Sequence, residues 1–328
     1  MSPIPHQRLA PLRDGRWIAY LACGPADGLL VFYLHGAIGS PQQVCPELEA
    51  VVDELGVRYV MVSRPGFGES DPLPGRTLTG FAAYLAELAD QFGSQRFAVV
   101  GVSAGGPYAL ACAHELPDRV QAAAVVSSMS GSGAHPASGA SLPLRAGLRA
   151  LRRWPRAGAS AGDALLGLAR AHPRLVEGVM RRGAPPADRR LLVASEAREQ
   201  AATRFLAAAR CGVGGMIDDY GLCAGDWGFA LGDISPPVQL WHGVQDPLVP
   251  VNEAIHMAAA LPNVQAALDP DEGHFFYRRR LREILGELVA GSGRLADRPD
   301  QDLVDIDVRR LTDGVDDGAG DVVGLERV

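Results

Sequence analysis

A serine breaks an acyl bond when a base, an acid that orients the base, and donors for the developing oxyanion converge on it. The stretch VVGVSAGGPYALACA, residues 99–113, contains a candidate. Ser103 is the centre of Gly101-Val102-Ser103-Ala104-Gly105, a G-x-S-x-G sequence. It stands where an apolar run that reads as a strand meets one that reads as a helix, the setting this motif needs. A nucleophile at the tip of so tight a turn takes strained backbone angles. The small residues Gly101, Gly105 and Gly106 leave room for strand and helix to close around it. The helix N-terminus offers N–H groups to negative charge. By themselves these five residues suit a structural serine in a strand–helix turn equally well.

The base is sought among the histidines, whose pKa lies near neutrality. There are eight: His6, His35, His114, His135, His172, His242, His256 and His274. His6 is in the terminal arm, and His135 and His172 fall in a helical insertion. His114 is about 16 Å along the helix from Ser103 at 1.5 Å per residue. His256 is mid-helix, and His242 sits inside an apolar run, where packing is its expected role. His274, in DPDEGHFF, follows the last strand in a polar loop. That loop belongs at the edge of the sheet where Ser103 stands and where open α/β sheets bind ligands. For the acid, WHGVQDPLVP ends a strand and supplies Asp246, while residues 121–140 contain no Asp or Glu. Alone, Asp246 could be a turn aspartate before proline and His274 a surface histidine. Together they give the chain order Ser103, Asp246, His274. Ala104 supplies one oxyanion N–H, and the loop His35-Gly36-Ala37-Ile38-Gly39-Ser40 supplies the other through Ala37.

The elements that must position these residues alternate over the first 130 residues. Strands are expected at 16–24, 29–36, 58–66, 97–103 and 121–129, with helices at 42–55, 78–93 and 104–116 between them. Thr79 is the expected cap of the second helix and Gly93 its stop. The later strands are apolar on both faces, as in a buried parallel sheet. The alternation predicts an α/β fold with a mostly parallel central sheet flanked by helices. Residues 131–225 carry little β pattern and read as an inserted helical lobe, with Arg-rich amphipathic stretches at 143–154, 162–183 and 186–210. RCGVGGMIDDYG, 210–221, reads as a hinge or a helix end. Sheet character resumes with a strand at 236–243, a helix at 252–261, a strand at 263–269 and a helix at 275–290. The core is thus 1–130 with 226–290, and 291–328 is an acidic tail expected to be disordered.

Composition narrows the function further. All 31 basic residues are arginine, and the net charge is −7. The tail holds 10 acidic and 5 basic residues, leaving 28 and 26 in the rest, so the body is near neutral. Nucleic-acid binding would need clustered positive charge. The five cysteines form no CxxC or zinc spacing. No G-x-G-x-x-G follows the first strands, and without lysine there is no phosphate-binding P-loop. No signal core or membrane-length apolar run is read. A cytoplasmic protein acting on a small molecule, without metal, cofactor, nucleic acid or membrane partner, is expected.

Five segments in order, YLHGAIGS, SRPGFGESD, VVGVSAGGPYALACA, DWGFALGDISPPVQLWHGVQDPLVP and DEGH, resemble the α/β-hydrolase fold superfamily over roughly residues 15–290. The resemblance implies Ser103 as nucleophile, His274 as base, Asp246 as acid, backbone donors at Ala37 and Ala104, and a helical cap at 131–225. Many relatives carry proline where this chain has Ile38, which alters loop stiffness and leaves the donors in place. A serine nucleophile argues against dehalogenase and epoxide hydrolase chemistry, which use aspartate. The expected activity is a serine hydrolase acting on an ester, lactone or similar small hydrophobic acyl compound through an acyl-enzyme. The alternatives are a C–C bond hydrolase, a cofactor-free perhydrolase or haloperoxidase, and a non-catalytic ligand-binding member of the fold. His35, Trp227 and Phe229 are candidate substrate contacts, although His35 is better placed to pin its loop and the aromatics to pack.

Overall fold

A computed structural model of the chain describes residues 7–37, 39, 46–131, 146–147, 150, 153–172 and 205–291. Eight strands form one sheet: β1 (Arg8–Pro11), β2 (Trp17–Cys23), β3 (Leu29–Leu34), β4 (Val57–Val62), β5 (Phe97–Val102), β6 (Val120–Val126), β7 (Val238–Gly243) and β8 (Val264–Asp269). Their order is β1-β2-β4-β3-β5-β6-β7-β8. β2 pairs antiparallel with β1 and β4, and every later pairing is parallel. The architecture is the α/β fold that the alternation predicted. β5 and β7 are buried at every residue, because helices cover both faces of the sheet.

The helices are α1 (Pro46–Glu54), α2 (Leu78–Gln91), α3 (Gly106–Glu115), α4 (Pro155–Ala171), α5 (Gly214–Cys223), α6 (Val251–Ala260) and α7 (Leu281–Gly291). One apolar layer gathers Phe32, Phe81, Leu85, Phe97 and Tyr108. The other packs Val31, Val100, Trp241, Ile284 and Leu288. The cap of α2 is Thr77, not Thr79. Extended backbone at Thr77 lets its hydroxyl accept the Gly80 N–H at 2.9 Å, whereas Thr79 lies inside the first turn. Gly93, at φ 71°, ends that helix as expected. The helix expected at 275–290 is divided. A 3-10 turn at Phe276–Arg278 buries Phe276 before α7 begins. β1 carried too short a pattern to be read.

Between β6 and β7 the described residues form α4 and α5. Most of the residues in the other predicted insertion helices, and the tail from 292, lie outside the described residues. The 210–221 stretch is mainly α5 rather than a hinge. Its glycines weigh against a helix in propensity, but tertiary contact decides. α5 carries Asp219, which is fully buried. Its Oδ2 accepts Arg64 Nε at 2.7 Å and pairs with Nη2 at 2.6 Å. Its Oδ1 accepts Arg76 Nη2 and Tyr108 Oη, each at 2.7 Å. Arg64 also lies over the rings of Phe67 and Tyr108, at 5.1 and 4.9 Å. Breaking one partner from a buried pair of this kind typically costs about 3–5 kcal/mol, because the other charge is stranded without water.

Two buried histidines cap strands of this sheet. His35, after β3, donates Nδ1–H to the Gly36 carbonyl at 2.8 Å, and its Nε2 accepts the Arg64 backbone N–H at 3.2 Å. Burial, then the nearby Arg64 charge, hold its pKa well below the ordinary imidazole value. His242, near the end of β7, donates Nε2–H to the Val249 carbonyl at 2.9 Å. Burial again lowers its pKa. Both stay neutral folded and take up protons unfolded once the pH falls below about 6.5. Where the unfolded chain binds more protons, stability rises with pH. The melting temperature should therefore fall as the pH drops from about 7 to 5.5, above the main carboxylate range, and level off at higher pH. A melting temperature that is flat across that window, measured by calorimetry, would contradict the neutral assignment.

Candidate active site

Chain order reverses in the middle of the sheet. β3 is followed through α1 by β4 on one side, and β4 through α2 by β5 on the other. Connections leaving β3 and β5 diverge, opening a crevice at their carboxyl ends. Ser103 stands there, directly after β5. Its φ is 54°, a left-handed conformation unfavourable for a side chain with a Cβ. A 3-10 turn over Ser103–Gly105 joins β5 to α3, and the Gly106 N–H donates to the Ser103 carbonyl. The glycines are required by close approach. A Cβ at Gly101 would collide with the Gly105 carbonyl, and one at Gly105 with the carbonyl of Leu34 on β3. Across the crevice, a Cβ built on Gly36 would stand 3.4 Å from Ser103 Cβ and 3.9 Å from its Oγ. The loop carrying Ala37 thus lies against the serine.

Asp246 and His274 come from the loops after β7 and β8, and both are buried. Asp246 Oδ1 accepts the backbone N–H groups of Leu248 at 2.9 Å and Val249 at 3.0 Å. Its Oδ2 accepts His274 Nδ1–H at 2.6 Å. The two N–H groups fix the carboxylate plane, and the carboxylate fixes the imidazole tautomer, leaving the neutral ring's lone pair on Nε2. His242 Nε2 is 3.7 Å from the same Oδ2. Its bond to the Val249 carbonyl closes the floor of the Asp246 loop.

The end of β6 joins these parts. Ser127 is, among the described residues, the other non-glycine with positive φ, at 48°. Its hydroxyl donates to the His274 carbonyl at 3.1 Å. The next residue, Ser128, donates its hydroxyl to the Ser103 carbonyl at 2.8 Å. Neighbouring residues, whose Cα atoms are about 3.8 Å apart, therefore hold the serine turn and the histidine loop. Ser130 places its N–H and hydroxyl on Glu253 Oε2 at 2.8 and 2.6 Å. This segment lacks Asp and Glu, so its part in the site rests on hydroxyls and backbone rather than on a carboxylate of its own. The signal in the sequence is a run of serines, S-S-M-S, directly after the apolar stretch AAAVV that ends β6.

Of the other predicted site residues, Ala104 is buried in the turn after Ser103, with its carbonyl accepting Cys223 Sγ–H at 3.4 Å. His35 is enclosed and both its ring nitrogens engage backbone, which pins its loop. Trp227 is buried, its ring against Gly131 and its indole N–H on the Cys223 carbonyl at 3.0 Å. Phe229 stacks on His114 at 5.0 Å. That is the end of α3 farthest from Ser103, a packing position. Asp219, Arg64, Ser127 and Ser128 carry no local signature in the sequence, because their partners lie 155, 147 and 25 residues away. No group of histidine, cysteine, aspartate and glutamate that could hold a metal ion occurs among the described residues, and no described helix is long and apolar enough to cross a membrane.

Over 115 residues the chain is 36% identical to the dihydrolipoyllysine-residue acetyltransferase component of the acetoin cleaving system of Cupriavidus necator, covering 35% of this chain and 30% of that protein. The chain spans about a third of the length of the curated relatives it matches, 30% and 36%. Among solved structures it is similar to a bromoperoxidase from Bacillus anthracis, with a TM-score of 0.63, 20% identity, and coverage of 88% of this chain and 99% of that one. It is also similar to an esterase from Exiguobacterium antarcticum, with a TM-score of 0.60, 19% identity, and coverage of 87% and 99%. Residues 30–278 match the alpha/beta hydrolase fold family, so a family match spanning most of the sheet joins the strand order and crevice already described, and the chain belongs to that family.

Proposed function

We propose that the protein is a serine hydrolase that transfers an acyl group from a small carbonyl substrate, an ester or lactone, to water. The observation that carries this reading is the left-handed backbone of Ser103 at the crevice. Strain of this kind costs on the order of 1–3 kcal/mol and persists where surrounding structure imposes it, commonly at functional sites. The hydrogen bond from His274 to Asp246 supports it, since it prepares an imidazole with Nε2 able to accept a proton.

The steps follow from these groups. Ser103 Oγ attacks the substrate carbonyl as His274 Nε2 takes its proton. The carbonyl oxygen becomes an oxyanion held by the N–H groups of Ala37 and Ala104. Asp246 stabilises the imidazolium without taking its proton. His274 then protonates the departing alcohol oxygen, leaving an acyl-serine. Water, deprotonated by the same nitrogen, attacks the acyl carbon. Collapse returns the proton to Ser103 and releases the acid. The insertion between β6 and β7 would cover the crevice as a cap, and its shape would select the acyl or alcohol part.

The likeness to a bromoperoxidase favours a second reading, in which hydrogen peroxide replaces water at the acyl-enzyme and yields a peracid. Both readings need Ser103. Supplying a p-nitrophenyl ester with and without peroxide separates them by the ratio of peracid to acid.

A fluorophosphonate should label the wild-type protein at Ser103, located by peptide mass spectrometry, and Ser103→Ala should neither label nor turn over p-nitrophenyl esters. Equal hydrolysis by wild type and Ser103→Ala would show that the site is wrongly assigned. Asp246→Asn should fold and bind substrate with a similar KM while kcat drops by about 10⁴, since the amide stabilises the wrong imidazole tautomer. A kcat within tenfold of wild type would remove Asp246 from this role.

A further inference from the structure

Asp219 lies in the insertion, yet its influence can be traced to the oxyanion loop. Arg64, which it grips through Nε and Nη2, also reaches the loop after β3. Nη1 donates to the His35 carbonyl, and Nη2 approaches the Gly36 carbonyl at 3.4 Å. His35 Nδ1–H donates to the same Gly36 carbonyl at 2.8 Å. The Gly36 carbonyl and the Ala37 N–H belong to one peptide unit. That unit is planar and trans, so its C=O and N–H point in opposite directions. Holding the oxygen on Arg64 and His35 fixes the direction of the Ala37 N–H away from them, in a loop whose Gly36 backbone lies against Ser103. A guanidinium at the carbonyl end also draws electron density from the peptide and strengthens the N–H as a donor.

We propose that Asp219 is a positioning residue: through Arg64 it sets and polarises the peptide joining Gly36 to Ala37, so that the inserted helix α5 determines whether the oxyanion donor is in place. The proposal rests on reading Ala37 as that donor. Every strong contact of the carboxylate is internal. Arg64 and Arg76 neutralise it, Tyr108 completes it, and no solvent reaches it. Arg64 is held on its other side by the rings of Phe67 and Tyr108. Displacement of α5 would therefore move a rigid group rather than a loose side chain. The insertion is the part of the chain over the crevice in the proposed function, so this linkage would couple its seating to the chemistry beneath.

Arg76 supplies the control. It binds Asp219 and the Gly215 carbonyl at 2.7 Å, tying α5 to the core, and is not among the groups bonded to His35 or Gly36. Asp219→Asn, Arg76→Gln and Ser103→Ala are compared in the full chain by melting temperature, by kcat and KM on a p-nitrophenyl ester, and by the rate of fluorophosphonate labelling. Asp219→Asn should lower kcat by about 10- to 100-fold, somewhat less than deleting an oxyanion donor outright. KM should stay within about twofold, and labelling should slow in parallel with kcat. Arg76→Gln should lower the melting temperature yet keep kcat within about threefold. If Asp219→Asn does not fold, Arg64→Lys carries the same test, since a lysine keeps the charge and loses the fork that spans carboxylate and carbonyls. Wild-type kcat in the folded Asp219 or Arg64 variant would overturn the proposal, as would equal loss in the Arg76 variant. If Ser103→Ala keeps full activity, the hydrolase reading itself fails. If it is inactive while Asp219→Asn is unimpaired, only the linkage fails.

Discussion

One carboxylate without access to water binds two arginines and a tyrosine, and much of the crevice's geometry hangs on that fact. Asp219 cannot release either arginine cheaply, because each would keep its charge in a place that cannot solvate it. Both arginines come from the connection between β4 and α2, the tyrosine from α3, and Asp219 from α5. The cluster is a three-way joint between elements that no stretch of helix or strand connects directly. It reaches the loop after β3 through carbonyl oxygens, which respond to a guanidinium whatever side chains surround them.

A second constraint is backbone strain. Ser103 and Ser127, at the ends of adjacent strands, both adopt left-handed angles. Each is held by contacts to another part of the chain. Ser128 and Gly106 bind the Ser103 carbonyl, while Ser127 holds the His274 carbonyl and donates its own N–H to Trp241 on β7 at 2.8 Å. Strain survives because alternative conformations would give up several hydrogen bonds at once. The nucleophile candidate and the histidine loop are therefore supported from one short segment after β6, and neither depends on its own local propensity.

Much of the scaffold is legible in the residues. Buried parallel strands announce themselves as apolar runs, and turns such as that at Gly93 as glycine with positive φ. Local patterns fail where a tertiary contact outweighs them. Thr77 rather than Thr79 caps α2 because the chain enters the helix two residues earlier, with Leu78 buried. α5 contains three glycines, Gly214, Gly215 and Gly221, which propensity reads as a break. The bonds from Asp219 to Arg64, Arg76 and Tyr108 make it a helix. In sequence Phe229 is a candidate substrate contact that is better placed to pack. Its stacking on His114 decides for packing.

The sequence by itself determines the fold class, the serine turn, and the candidates Asp246 and His274, because each has a local signature: alternating apolar runs, a glycine-boxed serine, an acid and a histidine at strand ends. Only the tertiary structure decides what grips the Gly36 carbonyl in the loop after β3, what holds the His274 loop, and how α5 is tied to the core. Those depend on Arg64, Asp219, Ser127 and Ser128, ordinary residues whose significance lies in partners far along the chain. A side chain's type is written locally, but its hydrogen-bond partner is chosen by which strands and helices the sheet brings side by side.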